Sequence, residues 1–162
     1  MGSEGSRTAL HLAELNIARL RYPKGDPRAD AFFDALDRVN ATAERMPGFV
    51  WRLKDEGGNA TNIPFNDDPL VIANLSIWET PQALERYVFQ TVHTAFYRKR
   101  ELWFETMSGP HMVFWWVEPG QRPTFPEAAE RLADLTANGP SERAFGWPQL
   151  KSAELWRAQR CA

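Results

Sequence analysis

Four segments of the chain are predicted to form β-strands, from the pattern of their apolar and polar residues. They are ALHLAELNIARL (residues 9–20), FVWRLKDE (49–56), LVIANLSIW (70–78) and HMVFWWV (111–117). The first and third segments each have one wholly apolar face, because successive side chains of a strand point to opposite sides. The opposite side, called here the mixed face, carries Leu12, Glu14 and Asn16 on the first strand, and Ile72, Asn74, Ser76 and Trp78 on the third.

Helical spacing of apolar residues appears between and after these strands. In residues 29–46 the apolar side chains at this spacing are Phe32, Phe33, Leu36, Val39 and Ala43. A second helix begins after the capping residue Thr80 and is predicted to run to about Phe104. Thr124 caps a third helix in residues 125–137, which Asn-Gly-Pro then ends. Two of the three helices therefore lie between strands.

The resulting order is β-α-β-β-α-β, which predicts an α+β fold of the ferredoxin-like type with a C-terminal helical extension. We expect a disordered N-terminus in residues 1–8, one domain in residues 9–137, and an extension in residues 138–162 that packs on the domain. Two helices on the apolar face of the sheet would leave the mixed face open. Large exposed apolar patches mark partner surfaces. We therefore expect a homodimer in which two mixed faces pack together, forming a dimeric α/β barrel.

Composition narrows the choice of partners and location. The 162 residues are 43% hydrophobic with a formal net charge of −2, so nucleic acid is not an expected partner. No segment approaches the roughly 20 apolar residues of a membrane-spanning helix. The single cysteine, Cys161, allows no intrachain disulfide. No apolar leader precedes the first strand, and the expected location is the cytoplasm.

Several segments carry a resemblance to a known family. They are HLAELNIARLR, PGFVWRL, NLSIWETPQALERYV, His93, and HMVFWWVEPGQRPT with EAAERL, which together extend from His11 to about Leu135. The chain resembles a bacterial family of unknown function in the dimeric α/β-barrel superfamily, distantly similar to antibiotic-biosynthesis monooxygenases. This resemblance implies the fold. It does not choose a reaction, because the superfamily includes oxygenases, haem-degrading enzymes, isomerases, cyclases and non-catalytic proteins.

The second predicted helix carries the candidate acid/base. Phe89, His93 and Tyr97 follow one another at i, i+4 spacing and would form one ridge, near Arg100 and Phe104. The opposite side would pack as a core stripe made of Val88, Val92, Ala95 and Leu102. Histidine suits proton transfer near neutral pH, and the family resemblance includes a histidine at this place. The alternative is that the C-terminal tail covers this ridge and that His93 binds a tail carbonyl.

The mixed face supplies the remaining candidate residues. Asn16 and Asn74 project from it, and Arg52 is expected to join them, so that all three could stabilise a developing anion in a dry pocket. An equally open alternative is that these groups form hydrogen bonds at a dimer interface. The other predicted substrate-binding residues are Ser76, Trp78, Phe89, Tyr97, Arg100 and Trp103. Either Trp115 or Trp116 could also enter the cavity.

Three hypotheses of function follow. The leading one is an enzyme that abstracts a proton from an apolar, aromatic or polyketide-like substrate, followed by oxygenation, cyclisation or isomerisation, without a cofactor. The second is a haem protein that uses His93. The haem-degrading branch resembles the chain at Asn16, but its helix Trp and ligating His align with Tyr87 and Tyr97 here. The third is a non-catalytic ligand-binding dimer.

No metal site is expected. His11 begins the first strand and His111 begins the fourth, and these strands are antiparallel neighbours in the predicted topology. Their starts therefore lie at opposite ends of the sheet, whereas the ligands of a metal must converge.

Overall fold

The fold is an antiparallel sheet with helices on both faces. The computed structural model describes residues 9–55, 58, 60–92 and 99–161. The strands are β1 (His11–Leu20), β2 (Phe49–Arg52), β3 (Val71–Trp78), β4 (Phe104–Glu105) and β5 (Met112–Val117). They pair in the order β2-β3-β1, with β4 and β5 sharing the other edge of β1. β1 and β3 are the long central pair, in a register that runs from Leu12 opposite Trp78 to Arg19 opposite Val71.

The helices are α1 (Asp30–Arg45), α2 (Pro81–Arg86), α3 (Arg100–Trp103), α4 (Phe125–Asn138) and α5 (Glu154–Cys161), with short 3-10 turns at Pro27–Ala29 and Trp147–Gln149. Helices α1, α2 and α4 begin close to the starts of the three predicted helices. The predicted caps of α2 and α4 form, since Thr80 Oγ1 accepts from the Ala83 amide at 3.2 Å and Thr124 Oγ1 from the Glu127 amide at 3.4 Å. The ferredoxin-like α+β prediction is confirmed. None of the helices in the described ranges is long and apolar enough to cross a membrane.

The second helix differs from its prediction. It is α-helical only to Arg86, and Tyr87–Val92 continue as a π-helix. Residues 93–98 lie outside the described part of the chain, and Phe104 belongs to β4. A π-helix closes i→i+5 hydrogen bonds, so angles of about 100° per residue do not apply beyond Arg86. Leu102, predicted to join the core stripe, is 65% exposed.

The prediction of which sheet face the first two helices cover is wrong. Helices α1 and α2 pack on the mixed face, where Trp78 is 1% exposed and Leu84 of α2 is 2% exposed. The wholly apolar face is covered by α4, whose buried residues Phe125, Ala128 and Leu132 join the core cluster of that face. The physical reason is that α4, an amphipathic helix later in the chain, occupies the apolar face, so that α1 and α2 pack on the mixed face. The motive for a dimer through Ile72 and Trp78 therefore fails, and the dimer itself stays a prediction.

The C-terminal segment packs against α2 and the β5 edge of the sheet. Phe145 extends the sheet by one bridge, with the Phe114 amide donating to the Phe145 carbonyl at 2.8 Å and the Phe145 amide donating back at 3.0 Å. Trp147 contacts the Phe89 ring at 5.5 Å between centroids. The buried Glu85 carboxylate of α2 accepts from the Trp156 amide in the first turn of α5, at 3.2 Å. The segment thus covers the outer side of α2.

Candidate functional site

A cavity of about 400 Å³ lies between the mixed face of the sheet and the helices α1 and α2. The apolar stripe of α1 forms one wall and α2 with the π-helix forms part of another. The sheet and its surroundings contribute Glu14, Asn16, Ala18, Ile72, Asn74, Ser76, Trp78 and Arg52. Polar side chains on the strands, together with Ala18, Ile72 and Trp78, thus face a largely apolar helix stripe. The cavity combines apolar walls with a few convergent polar groups, as ligand sites do.

Glu14 is the polar centre of this cavity. It is 4% exposed and lies directly opposite Ser76 in the β1–β3 register. Ser76 Oγ donates to Glu14 Oε2 at 2.9 Å, and Asn16 Nδ2 donates to Glu14 Oε1. Trp78 Nε1 donates in turn to Ser76 Oγ at 3.0 Å. Trp78 and Ser76 thus form a directed chain that ends on one carboxyl oxygen, and Asn16 binds the other, so that the carboxyl group is held in one orientation.

Burial raises the pKa of the Glu14 carboxyl from 4.5 to about 7. Removing water penalises the charged form, and the hydrogen bonds from Asn16 and Ser76 offset this only in part. Glu14 therefore exchanges a proton near neutral pH, which suits a general acid or base. Sequence reasoning placed Glu14 on the mixed face but gave it no role. The signal that could have found it was an acidic residue in the middle of an otherwise apolar and amide-bearing central strand.

Tyr87, the first residue of the π-helix, forms a second fixed polar group. Its ring stacks on Trp78 at 5.2 Å between centroids and 25° between planes. Its hydroxyl donates to the Val39 carbonyl at 3.1 Å. Burial raises the pKa of this phenol, the nearby Glu14 charge raises it further, and Arg52 lowers it. Tyr87 therefore stays protonated and anchors α2 to α1 across the cavity.

Arg52 lies at the cavity wall, where its side chain is 9% exposed. Its Nε donates to Glu44 Oε1 of α1 at 2.8 Å, and its Nη2 donates to the Gly58 carbonyl. The guanidinium therefore links β2 to α1 and to the loop after β2. Its charge still acts on the cavity, as its effect on the Tyr87 pKa shows.

The structure brings six of the predicted site residues together around this cavity: Asn16, Arg52, Asn74, Ser76, Trp78 and Arg100. Phe89 and Trp103 lie outside its wall. Phe89 packs on Trp147 of the C-terminal segment. Trp103 is 6% exposed and packs on Phe32, with 5.6 Å between ring centroids.

His93 and Tyr97, on which the predicted ridge depended, lie outside the described residues. The two tryptophans of β5 are both accounted for, and neither lines the cavity. Trp115 is buried in the core beneath α4, whereas Trp116 is 39% exposed and contacts Phe145 at 5.8 Å.

Metal chemistry has no obvious centre in the described ranges, which contain no group of three or more His, Cys, Asp or Glu residues able to hold an ion. His11 pairs with Val117 at one end of the β1–β5 ladder, whereas His111 precedes Met112, which pairs with Asn16 at the other end. This separation of the two histidines follows the prediction. The expected absence of a metal or cofactor stays a prediction.

Comparison with known protein families gives one match, which covers residues 11–161. The matching family is DUF3291, described as a domain of unknown function. The chain belongs to this family. The prediction of a family of unknown function is thereby confirmed. No curated protein matches this DUF3291 chain.

Solved structures with a similar backbone include three bacterial proteins. NE2512 from Nitrosomonas europaea, of unknown function, is 11% identical with a TM-score of 0.48, over 72% of this chain and 97% of that one. SnoaB from Streptomyces nogalater, a cofactor-independent oxygenase, is 17% identical with a TM-score of 0.44, over 74% and 100%. PA3566 from Pseudomonas aeruginosa is 14% identical with a TM-score of 0.46, over 71% and 96%.

Proposed function

We propose that this protein is a small-molecule enzyme that removes a proton from an apolar, aromatic or polyketide-like substrate. Proton removal would be the first step of an oxygenation, a cyclisation or an isomerisation. The observation that carries the proposal is the Glu14 carboxyl, which lies in an apolar cavity and has a pKa of about 7. The sequence pattern alone favours His93 for this role. We assign it to Glu14, which has the required environment within the described part of the chain.

The chemistry follows from the groups around Glu14. A substrate carbon next to a carbonyl would give its proton to the Glu14 carboxylate. The electron pair of the C–H bond would form a C=C bond, and the π pair of the carbonyl would move to its oxygen, giving an enolate. Asn74 lies opposite Asn16 in the β1–β3 register and lines the same cavity, so its amide N–H groups can stabilise this oxygen. The enolate carbon then forms a C–O bond with dioxygen, or attacks a second carbonyl carbon of the same substrate to close a ring. In both cases the new oxygen anion takes the proton from Glu14 and becomes a hydroperoxide or a hydroxyl. In an isomerisation Glu14 returns the proton to another carbon of the conjugated enolate.

The size and the walls of the cavity support an apolar ligand. Cavities of about 300–1,000 Å³ hold drug-sized molecules, and this one measures about 400 Å³. Aromatic side chains line it from five elements: Phe32 of α1, Phe49 of β2, Trp78 of β3, Tyr87 of the π-helix and Phe104 of β4. Aromatic rings favour flat, apolar ligands through stacked or edge-to-face contacts.

Hydrogen–deuterium exchange at carbon tests the proposal directly. The probe is 2-tetralone, a bicyclic aromatic ketone, incubated in D₂O with the protein and followed by NMR. We expect exchange above the buffer rate, and Glu14→Gln should slow it by about 10²–10⁴-fold, because glutamine is isosteric but cannot take the proton. The control is Glu130→Gln on the exposed side of α4. Equal exchange by wild type and Glu14→Gln would refute the role of Glu14. Binding of the ketone without exchange would favour the non-catalytic alternative.

A further inference from the structure

The main cavity continues into a second one of about 390 Å³. Five residues line both, so the two volumes meet at one junction, formed by Ile17, Ala18, Arg100, Phe104 and His111. The second cavity adds Glu101 of α3, Glu105 of β4, and Thr106 and Met107 from the segment between β4 and β5. The site is therefore longer than the volume around Glu14 alone.

The junction exists because two short strands share one edge of β1. β5 pairs with His11–Asn16 and β4 pairs with Arg19 and Leu20. Between them, the Ile17 amide donates to the His111 carbonyl at 2.9 Å, and the β1–β5 ladder ends there. Ala18 has no partner in either ladder and contributes only a methyl group to the cavity wall. A gap in strand pairing thus opens the edge of the sheet.

The junction itself carries a cation and a hydrogen-bond donor. Arg100 lines both cavities and is always cationic, and His111 adds an imidazole that can donate a hydrogen bond. Two acidic residues, Glu101 and Glu105, face only the second cavity. Glu105 is ion-paired with Arg19, which also pairs with Asp68. Arg100 therefore borders the main cavity, whereas neither Glu101 nor Glu105 does.

We propose, on the basis of the function assigned to Glu14, that the substrate is an elongated amphipathic carboxylate. Its apolar body lies in the main cavity and its carboxylate binds Arg100 and His111 at the junction. The spacing is set by β1. Ala18 is four residues from Glu14 on the same face of the strand, which corresponds to about 13 Å at about 3.3 Å per residue. A planar guanidinium binds a carboxylate in a bidentate manner, which gives both orientation and affinity.

Isothermal titration calorimetry with a set of simple probes tests this proposal. The probes are hexanoate, octanoate, decanoate and dodecanoate, together with decanol and decylamine as neutral and cationic equivalents of decanoate. We expect affinity to rise with chain length until the body fills the main cavity. Decanoate should bind more tightly than decanol, and decylamine should bind most weakly.

Arg100→Gln should weaken decanoate binding by about tenfold or more while leaving decanol binding nearly unchanged, because hydrogen bonds between charged groups are the strong ones. His111→Asn should give a smaller loss. Arg38→Gln, on the exposed side of α1, removes the same charge away from the cavity and should change neither affinity. Equal losses in Arg38→Gln and Arg100→Gln, tighter binding of decylamine, or no binding by any carboxylate would overturn the proposal.

The two proposals fail in distinguishable ways. Glu14→Gln should slow proton exchange on 2-tetralone by about 10²–10⁴-fold and still bind decanoate in an Arg100-dependent manner. If exchange is unaffected by Glu14→Gln but Arg100→Gln weakens decanoate, only the assigned proton transfer is wrong. If exchange requires Glu14 but Arg100→Gln leaves decanoate binding intact, only the carboxylate site is wrong.

Discussion

Ser76 faces Glu14 directly across the central strand pair and donates a 2.9 Å hydrogen bond to its Oε2. Ser76 is itself fixed, because it accepts from the Trp78 indole N–H. This relationship sets the orientation of the carboxyl group and moderates its pKa, which burial raises to about 7. The stability of the fold and the rate of proton transfer should therefore both depend on the protonation of Glu14.

The protonation of Glu14 should make the stability of the fold depend on pH. The folded-state pKa of about 7 exceeds the ordinary value of 4.5, so the native state holds its proton while the unfolded state loses it. The Glu14 contribution to the free energy of unfolding is thus fully present below about pH 4.5 and falls by about 3 kcal/mol as the pH rises to 7. Glutamine cannot titrate. Glu14→Gln should therefore gain stability relative to wild type between about pH 5 and about pH 8 in urea unfolding. A constant difference across this range would contradict the pKa.

Removing the Ser76 hydroxyl should raise the Glu14 pKa further, because the hydrogen bond favours the charged form. In Ser76→Ala the pH midpoint of 2-tetralone exchange should move upward from that of wild type. The fold should also lose about 1–3 kcal/mol, since the buried Trp78 indole N–H loses its acceptor. Thr136→Ala removes a hydroxyl bonded to the Leu132 carbonyl of α4 and should leave the pH midpoint where it is. If the pH midpoint of exchange shifts in neither variant, Ser76 does not influence the group that transfers the proton.

Gly48 should tolerate no side chain, for two reasons. Its φ is +87°, and a Cβ there would lie 2.5 Å from the Cβ of Ala83 in α2. Gly25 has a φ of +98°, but a Cβ added there would meet no other atom within 4 Å, so Gly25→Ala isolates the backbone strain of about 1–2 kcal/mol. Gly48→Ala should cost clearly more by thermal unfolding. Adding Ala83→Gly should recover part of that excess in a double-mutant cycle, and simple additivity would show that the contact does not matter.

The carboxylate of Glu85 should hold the C-terminal helix against α2. It is 4% exposed and accepts from the Trp156 amide at 3.2 Å. Glu85→Ala should lower the free energy of unfolding by about 1 kcal/mol, as loss of a helix cap does. It should also speed amide exchange in α5, measured by hydrogen-exchange mass spectrometry. Glu85→Gln keeps an acceptor oxygen and should retain most of the protection. Equal protection in Glu85→Ala would mean that α5 is held by Trp147 and its neighbours alone.

The connectivity of the fold was predictable from the sequence, because it depends on local signals. The alternation of side chains assigned β1 and β3 their two faces, and Thr80 and Thr124 marked helix starts through contacts within one turn. The same alternation placed Asn16, Asn74, Ser76 and Trp78 together on the mixed face. These properties depend on residues only a few positions apart, so they can be predicted without knowing which distant segments pack against them.

The tertiary structure alone decided which face each helix covers and what Glu14 becomes. The pattern of a strand shows that one of its faces is apolar, but not which helix covers that face. In the structure α4 covers the apolar face, and α1 and α2 cover the mixed face. This choice depends on the packing of segments that are far apart in the sequence. The change from α-helix to π-helix at Tyr87 has the same origin, since the ring is held by Trp78 and by the Val39 carbonyl on other elements. The pKa of Glu14 rises because segments far apart in sequence remove water from it. Ser76, its hydrogen-bond donor, lies 62 residues away. The sequence therefore shows an acidic residue on a largely apolar strand, but it does not show how far that residue is removed from water.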